Sequence, residues 1–135
     1  MSLSGKTAFI TGGGKNIGRC IALNLADSGA NVVINGASDQ AACEETATEV
    51  RAAGGEAMVL IGDVGDSDTV AGMAKLALDK FGTIDILVNN AAIRPSKPFL
   101  EMTDADWHRV MDVDLNAAFY TARAFAGGMV EAGWG

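Results

Sequence analysis

Residues Thr11 to Arg19 read T-G-G-G-K-N-I-G-R. A short apolar run, Thr7 to Thr11 (TAFIT), leads into them, and Ile17, Ile21 and Leu25 follow at helical spacing until Gly29. The order is therefore buried strand, glycine turn, helix. A turn without side chains lets the backbone come close to an anion, and the free amides and positive dipole end of the helix attract phosphate. Lys15 and Arg19 add charge at the same place. The general dinucleotide pattern G-x-G-x-x-G is not met, because position 17 is Ile. A P-loop is excluded too, because Asn16 follows Lys15 where Ser or Thr would bind magnesium. The competing reading is a structural turn with no ligand.

The same unit recurs outward from this turn. Val32, Val33 and Ile34 form a β-branched run ending at Asn35 and Gly36, and Asp39 to Ala53 is a helical stretch stopped by Gly54 and Gly55. Ala57 to Ile61 gives a third strand, and Val70, Met73, Ala74, Ala77 and Phe81 mark one face of a third helix begun near Asp66 or Ser67. Ile84 to Val88 gives a fourth strand. After a loop with Pro95 and Pro98, Thr103 and Asp106 are spaced as a capping box for one long fourth helix. Alternating strands and helices at this spacing require right-handed crossovers and a parallel α/β sheet covered on both faces. No linker or repeat divides the chain, so residues 1–135 form one domain. The fourth strand is then an edge, and it is apolar enough that something should pair with it.

Composition narrows the partners. The 135 residues are 49% hydrophobic and 20% charged, the composition of a globular domain rather than a disordered tail. Seventeen glycines are about twice the usual share, with no collagen period. A net charge of −7 argues against nucleic acid. The first 35 residues nevertheless carry Lys6, Lys15 and Arg19 against Asp27 alone, a local positive patch around the turn. Cys20 and Cys43 lack metal or redox spacing and read as reduced, packed thiols. No metal site is expected: Asp63, Asp66 and Asp68 fail the spacing of a calcium loop. The longest aliphatic run, Ala57 to Ile61, is too short for a membrane span, and the cytoplasm is the expected address. His108 is expected to face solvent, while Trp107, Phe119 and Phe125 suit a core or a subunit contact.

Four motifs in order make the chain resemble the short-chain dehydrogenase/reductase family, including its 3-oxoacyl-carrier-protein reductases. The family's cofactor turn T-G-x-x-x-G-x-G falls on Thr11, Gly12, Asn16 and Gly18, with asparagine for the middle glycine. Asn tolerates the left-handed conformation better than most residues, so the turn can survive. Asp63-Val64 looks like the pair facing the adenine ring. Asn89-Asn90-Ala91-Ala92 looks like N-N-A-G, with Ala92 for glycine. Trp107 to Phe119 looks like the W-x-x-V-x-x-V-N-L helix, which puts Asp114 at the position of the catalytic Asn. In the family that Asn holds a water through its main-chain carbonyl, a role Asp could keep. A surface acid is the plain alternative for Asp114.

The resemblance implies a Rossmann-type doubly wound sheet of about four strands, ordered 3-2-1-4, and hydride transfer between a nicotinamide cofactor and a small carbonyl or alcohol substrate. It implies cofactor contacts from Thr11, Gly12, Gly14, Lys15, Asn16, Ile17, Gly18, Asn35, Asp63, Val64, Asn90, Ala91 and Ala92. NAD-preferring enzymes place an acid at the end of the second strand. Asn35, Gly36, Ala37 and Ser38 offer none, and Lys15 resembles the basic residue of NADP users, so NADP(H) is expected over NAD(H). The family's catalytic Ser and Tyr-x-x-x-Lys are absent: the only tyrosine is Tyr120, with Ala124 four residues on. The chain is thus expected to be the amino-terminal half of an oxidoreductase, inactive alone. The alternative is a non-catalytic nucleotide-binding or oligomerisation fragment. Association into a homo-oligomer through the helix from about Asp104 is expected in either case.

Overall fold

The computed structural model describes residues 2–135. Strands β1 (Thr7–Ile10), β2 (Asn31–Gly36), β3 (Ala57–Ile61) and β4 (Ile86–Val88) form one parallel sheet in the order β3-β2-β1-β4. Ala8 lies opposite Val32 on one side and Ile86 on the other, and Ile34 lies opposite Val59. Helices α1 (Asn16–Asp27), α2 (Gln40–Ala52) and α3 (Ser67–Phe81) make the crossovers, and a 3-10 turn (Phe99–Glu101) precedes α4 (Asp104–Met111).

Strands covered on both faces favour runs of apolar side chains, and all four residues of β1 are buried, the three apolar ones Ala8, Phe9 and Ile10 with Thr7. Their alternation divides the core. Ile10, Val32 and Ile34 pack with Ala22 and Ala26 of α1 and Ala47 and Val50 of α2. Phe9, Val33 and Leu60 face the other way, against Val70, Met73 and Ala77 of α3. Phe125 completes that layer, its ring 5.0 Å from that of Phe9, a pairing worth about 1 kcal/mol beyond the area it buries.

The helix starts follow the chemistry of their first residues. Asp39 caps α2 by accepting from the Ala42 amide, Asp66 caps α3 through Thr69, and Thr103 with Asp106 forms a reciprocal capping box at α4. Three expectations need correction. The fourth strand begins at Ile86; just before it, the Asp85 amide donates to the Thr7 carbonyl at 2.8 Å, and the Asp85 carboxylate accepts from the Thr7 amide at 2.9 Å and the Lys6 ammonium at 2.9 Å. The long fourth helix is not uniform: a π-helical turn, Asp112–Asn116, separates α4 from α5 (Ala117–Ala132). Such turns shift the helical register and often mark functional positions. Cys43 is buried, but Cys20 is exposed, so only one thiol is packed. His108 is exposed, as are Trp107 and Phe119.

Candidate active site

The sheet order places its switch point between β1 and β4: one crossover leaves β1 toward β2, and the chain returns from β3 to the far side of β1. Open α/β sheets bind ligands in the crevice outside the strand ends at such a point. A cleft of about 480 Å³ lies there, between the glycine turn after β1 and the segment after β4. Gly12, Lys15, Asn16, Ile17, Gly18, Asn35, Asp63, Val64, Asn90, Ala91 and Ala92 all reach its wall.

Hydrogen bonds fix the turn from below. The Thr11 hydroxyl accepts from the Asn90 and Ala91 amides at 2.9 and 3.0 Å, tying β1 to β4. The Asn90 side-chain amide donates to the Thr11 and Gly12 carbonyls at 3.0 and 3.1 Å. Gly12 has φ +64°, and Asn16, at φ +47°, is the only non-glycine with positive φ among the described residues. At Gly18 the constraint is space: a Cβ there would come within 2.2 Å of the Gly12 carbonyl oxygen. The turn therefore presses directly on the first turn of α1.

What α1 lacks is a cap. Lys15 at its start makes no side-chain capping bond and no acid lies in its first turn, whereas Asp39, Asp66 and Thr103 cap α2, α3 and α4. Uncapped amides at a helix start need an acceptor, and an anion in the cleft supplies one. The fit to a dinucleotide rests on these donors and on the open cleft of about 480 Å³ beside them.

The expected positive patch is largely neutralised within the chain. Lys15 pairs with Asp39, Arg19 with Glu49 and Lys6 with Asp85. The Lys15 ammonium is held above its ordinary value chiefly by its hydrogen bond to Asp39, and the Asp39 carboxyl is lowered chiefly by Lys15 and then by the Ala42 amide. Asp63 accepts from the Gly65 amide at 2.9 Å and pairs with Arg109 at 2.7 Å. Among the described residues, Arg94 is the cation of the cleft wall with no carboxylate within 4.0 Å.

Several of the expected residues act differently from a ligand contact. Thr11 is buried beneath the turn. Asn35 is 1% exposed, and its amide donates to the Leu60 and Gly62 carbonyls at 3.2 and 3.0 Å, so it ties β2 to the end of β3. Gly14 lies in a smaller adjoining cavity with Lys15 and Asp39. Asp114 lines a separate pocket with Trp107 and Val110, and its carboxylate accepts from the Ile93 amide at 2.9 Å. Sequence reasoning missed Ala37, Gly62, Ile93, Arg94, Arg109 and Val113, which also line the cleft. Arg109 is four residues before Val113, on one face of the fourth helix, and that spacing was available in the sequence.

The model of the short chain dehydrogenase family matches residues 6–135. The chain is 38% identical over 123 residues to a 3-oxoacyl-[acyl-carrier-protein] reductase of Synechocystis sp., covering 91% of this chain and 50% of that protein. It is 36% identical to an L-rhamnose 1-dehydrogenase (NAD(P)(+)) of Sphingomonas sp., covering 98% and 52%. Among solved structures, a metagenomic short-chain oxidoreductase in complex with NADP superposes with a TM-score of 0.94 at 38% identity, over 100% of this chain and 61% of the other. A short chain dehydrogenase of Burkholderia cenocepacia in complex with NADP gives 0.89 at 31%, over 93% and 51%. The chain spans about half the length of the curated relatives it matches. With a stapled glycine turn at the switch point of a 3-2-1-4 sheet and a family match along nearly all its length, the chain belongs to the short-chain dehydrogenase family.

Proposed function

We propose that the whole protein is an oxidoreductase that moves hydride between NADP(H) and a small carbonyl or alcohol substrate, and that these 135 residues supply its coenzyme-binding half. The observation that carries this is the uncapped start of α1, pressed against a glycine turn that Asn90 fixes at the sheet's switch point. When bound there, the coenzyme would accept or donate the hydride. The chain's own part is to bind and orient: the amides of the turn and of Asn16 to Gly18 hold the diphosphate, and the wall formed by Gly62, Asp63 and Val64 takes the adenine.

The preference for NADP(H) draws support from the absence of an acid between Asn35 and Ser38, from Lys15 beside the turn and from the NADP complexes of two similar structures. The chain alone carries out no useful turnover in this proposal, since Tyr120 has no lysine four residues on and loss of the general acid removes roughly 10²- to 10⁴-fold of rate. Self-association through the fourth helix is supported by the exposure of Trp107, Leu115, Phe119 and Val130 along it. Among the described residues no helix is long and apolar enough to cross a membrane, and a cytoplasmic location is part of the same proposal.

The test is a titration of the chain with NADPH, read by energy transfer from its tryptophans to the dihydronicotinamide. Saturable one-to-one binding without carbonyl reduction is expected. Absence of binding would overturn the coenzyme assignment, and turnover by the chain alone would overturn the division of labour.

A further inference from the structure

A second cavity, of about 200 Å³, opens beside the cleft between the glycine turn and the turn from β2 to α2. Gly12, Lys15, Gly36, Ala37, Ser38 and Asp39 form most of its wall. The charges on that wall are Lys15 and Asp39, and they are paired with each other. Both are well exposed, with 63% and 50% of their side chains accessible, so the pair can open without exposing anything buried. Asp39 has a second task as the cap of α2, its Oδ1 accepting from the Ala42 amide at 3.1 Å.

We propose that Asp39 is the residue that sets coenzyme selectivity, by holding the Lys15 ammonium that a 2′-phosphate would otherwise engage. The inference rests on the coenzyme reading above. In dinucleotide folds the adenosine ribose lies at the end of the second strand, where an acid receives the 2′-hydroxyl or a base receives the 2′-phosphate. Here the end of β2, Asn35 and Gly36, contributes no charge, and both functions fall to the Lys15–Asp39 pair across the cavity. A 2′-hydroxyl leaves the pair intact and can donate to the carboxylate. A 2′-phosphate has to draw Lys15 away and then lies near an uncompensated carboxylate, so part of the attraction of the lysine is cancelled. The preference for NADP(H) is therefore smaller than Lys15 alone would give, and the acid that limits it sits three residues beyond the last residue of β2, on the helix cap.

The experiment measures dissociation constants of NADP+ and NAD+ for the chain and three variants by calorimetry. Asp39→Asn keeps a side-chain oxygen for the Ala42 amide, and Asn is as good a cap as Asp, so the variant removes charge while retaining α2. The NADP+ over NAD+ affinity ratio should rise about tenfold in Asp39→Asn, the size expected when a charge-assisted bond loses its competitor. It should fall below wild type in Lys15→Met, and the double variant should match Lys15→Met because the two side chains act as one unit. If Asp39→Asn fails to fold, Asp39→Ser supplies the same neutral cap. A ratio in Asp39→Asn within twofold of wild type would overturn the role of Asp39 while leaving the coenzyme site standing. Wild-type chain that binds neither coenzyme would overturn both.

Discussion

The Asn90 side-chain amide donates to the Gly12 carbonyl at 3.1 Å, and a Cβ at Gly18 would come within 2.7 Å of that same Asn90 nitrogen. Strand end, glycine turn and helix start thus meet at one nitrogen atom. The geometry of the turn follows from this side chain, which makes Asn90 a positioning residue for the proposed coenzyme site.

Asn90→Ala leaves the Thr11 and Gly12 carbonyls without this donor, which should cost about 1–3 kcal/mol of stability. The turn should also loosen and coenzyme affinity should fall roughly tenfold. Asn90→Asp should bind worse still at neutral pH, since a carboxylate would face two carbonyl oxygens and an anion. Urea unfolding and coenzyme titration check both. An Asn90→Ala chain with unchanged affinity would mean the turn keeps its shape without the staple.

Two glycines separate packing from propensity. Gly18→Ala drives a methyl into the Gly12 carbonyl and should cost about 1–3 kcal/mol or more, with binding lost. Gly72 lies within α3 with nothing within 4 Å of its ideal Cβ, so Gly72→Ala should stabilise by about 0.5–1 kcal/mol with binding unchanged. Thermal melts of the two variants should therefore move in opposite directions.

The elements that the sequence made legible are those whose signal is local. Glycines after β1, β-branched runs and capping residues at Asp66 and Thr103 depend on their immediate neighbours; the parallel sheet followed from crossover rules, and its order from the family resemblance. The parts that were not legible depend on distant pairing. Nothing local says that the charge of Lys15 is spent on Asp39, that the Asn35 amide turns to the end of β3, or that the Asp85 carboxylate accepts from the Thr7 amide. The π-helical turn at Asp112–Asn116 carries no residue type that announces it. Most residues of the cleft wall carry the family motifs, but which of them reach the cleft surface and which brace it from below needed the fold.

Acid stability should report on Asp85. Its carboxyl lies below the ordinary carboxylate range: burial alone would raise it, but the Lys6 ammonium and the Thr7 amide outweigh that. A carboxyl lowered in the folded state contributes stability that is present above its unfolded value, near 3.9, and is lost as pH falls through the folded value. Asp85→Asn should therefore cost about 1–3 kcal/mol at pH 7, and the gap from wild type should shrink as pH falls below about 4. Urea midpoints across that range decide it; a gap that stays constant down to the acid limit would mean that the charge contributes nothing.

Asp114 offers the sharpest separation between a catalytic and a supporting role for a residue at a family motif position. Its carboxylate accepts from the Ile93 amide at 2.9 Å, holding the segment after β4 against the π-helical turn, and it lines the pocket beside Trp107 rather than the cleft at the switch point. Asp114→Asn retains an oxygen at the same place, so the Ile93 amide should stay protected from hydrogen exchange and coenzyme affinity should remain within about twofold of wild type. Asp114→Ala removes the acceptor, and that amide should exchange about tenfold faster, a change of roughly 1.4 kcal/mol in the local opening equilibrium. Because Ile93 and Arg94 line the cleft on the other side of this bond, the alanine variant should also show a modest loss of coenzyme affinity that the asparagine variant does not. A large loss with asparagine would instead require the negative charge itself at this position, and would move Asp114 from support of the segment after β4 to direct participation in the site.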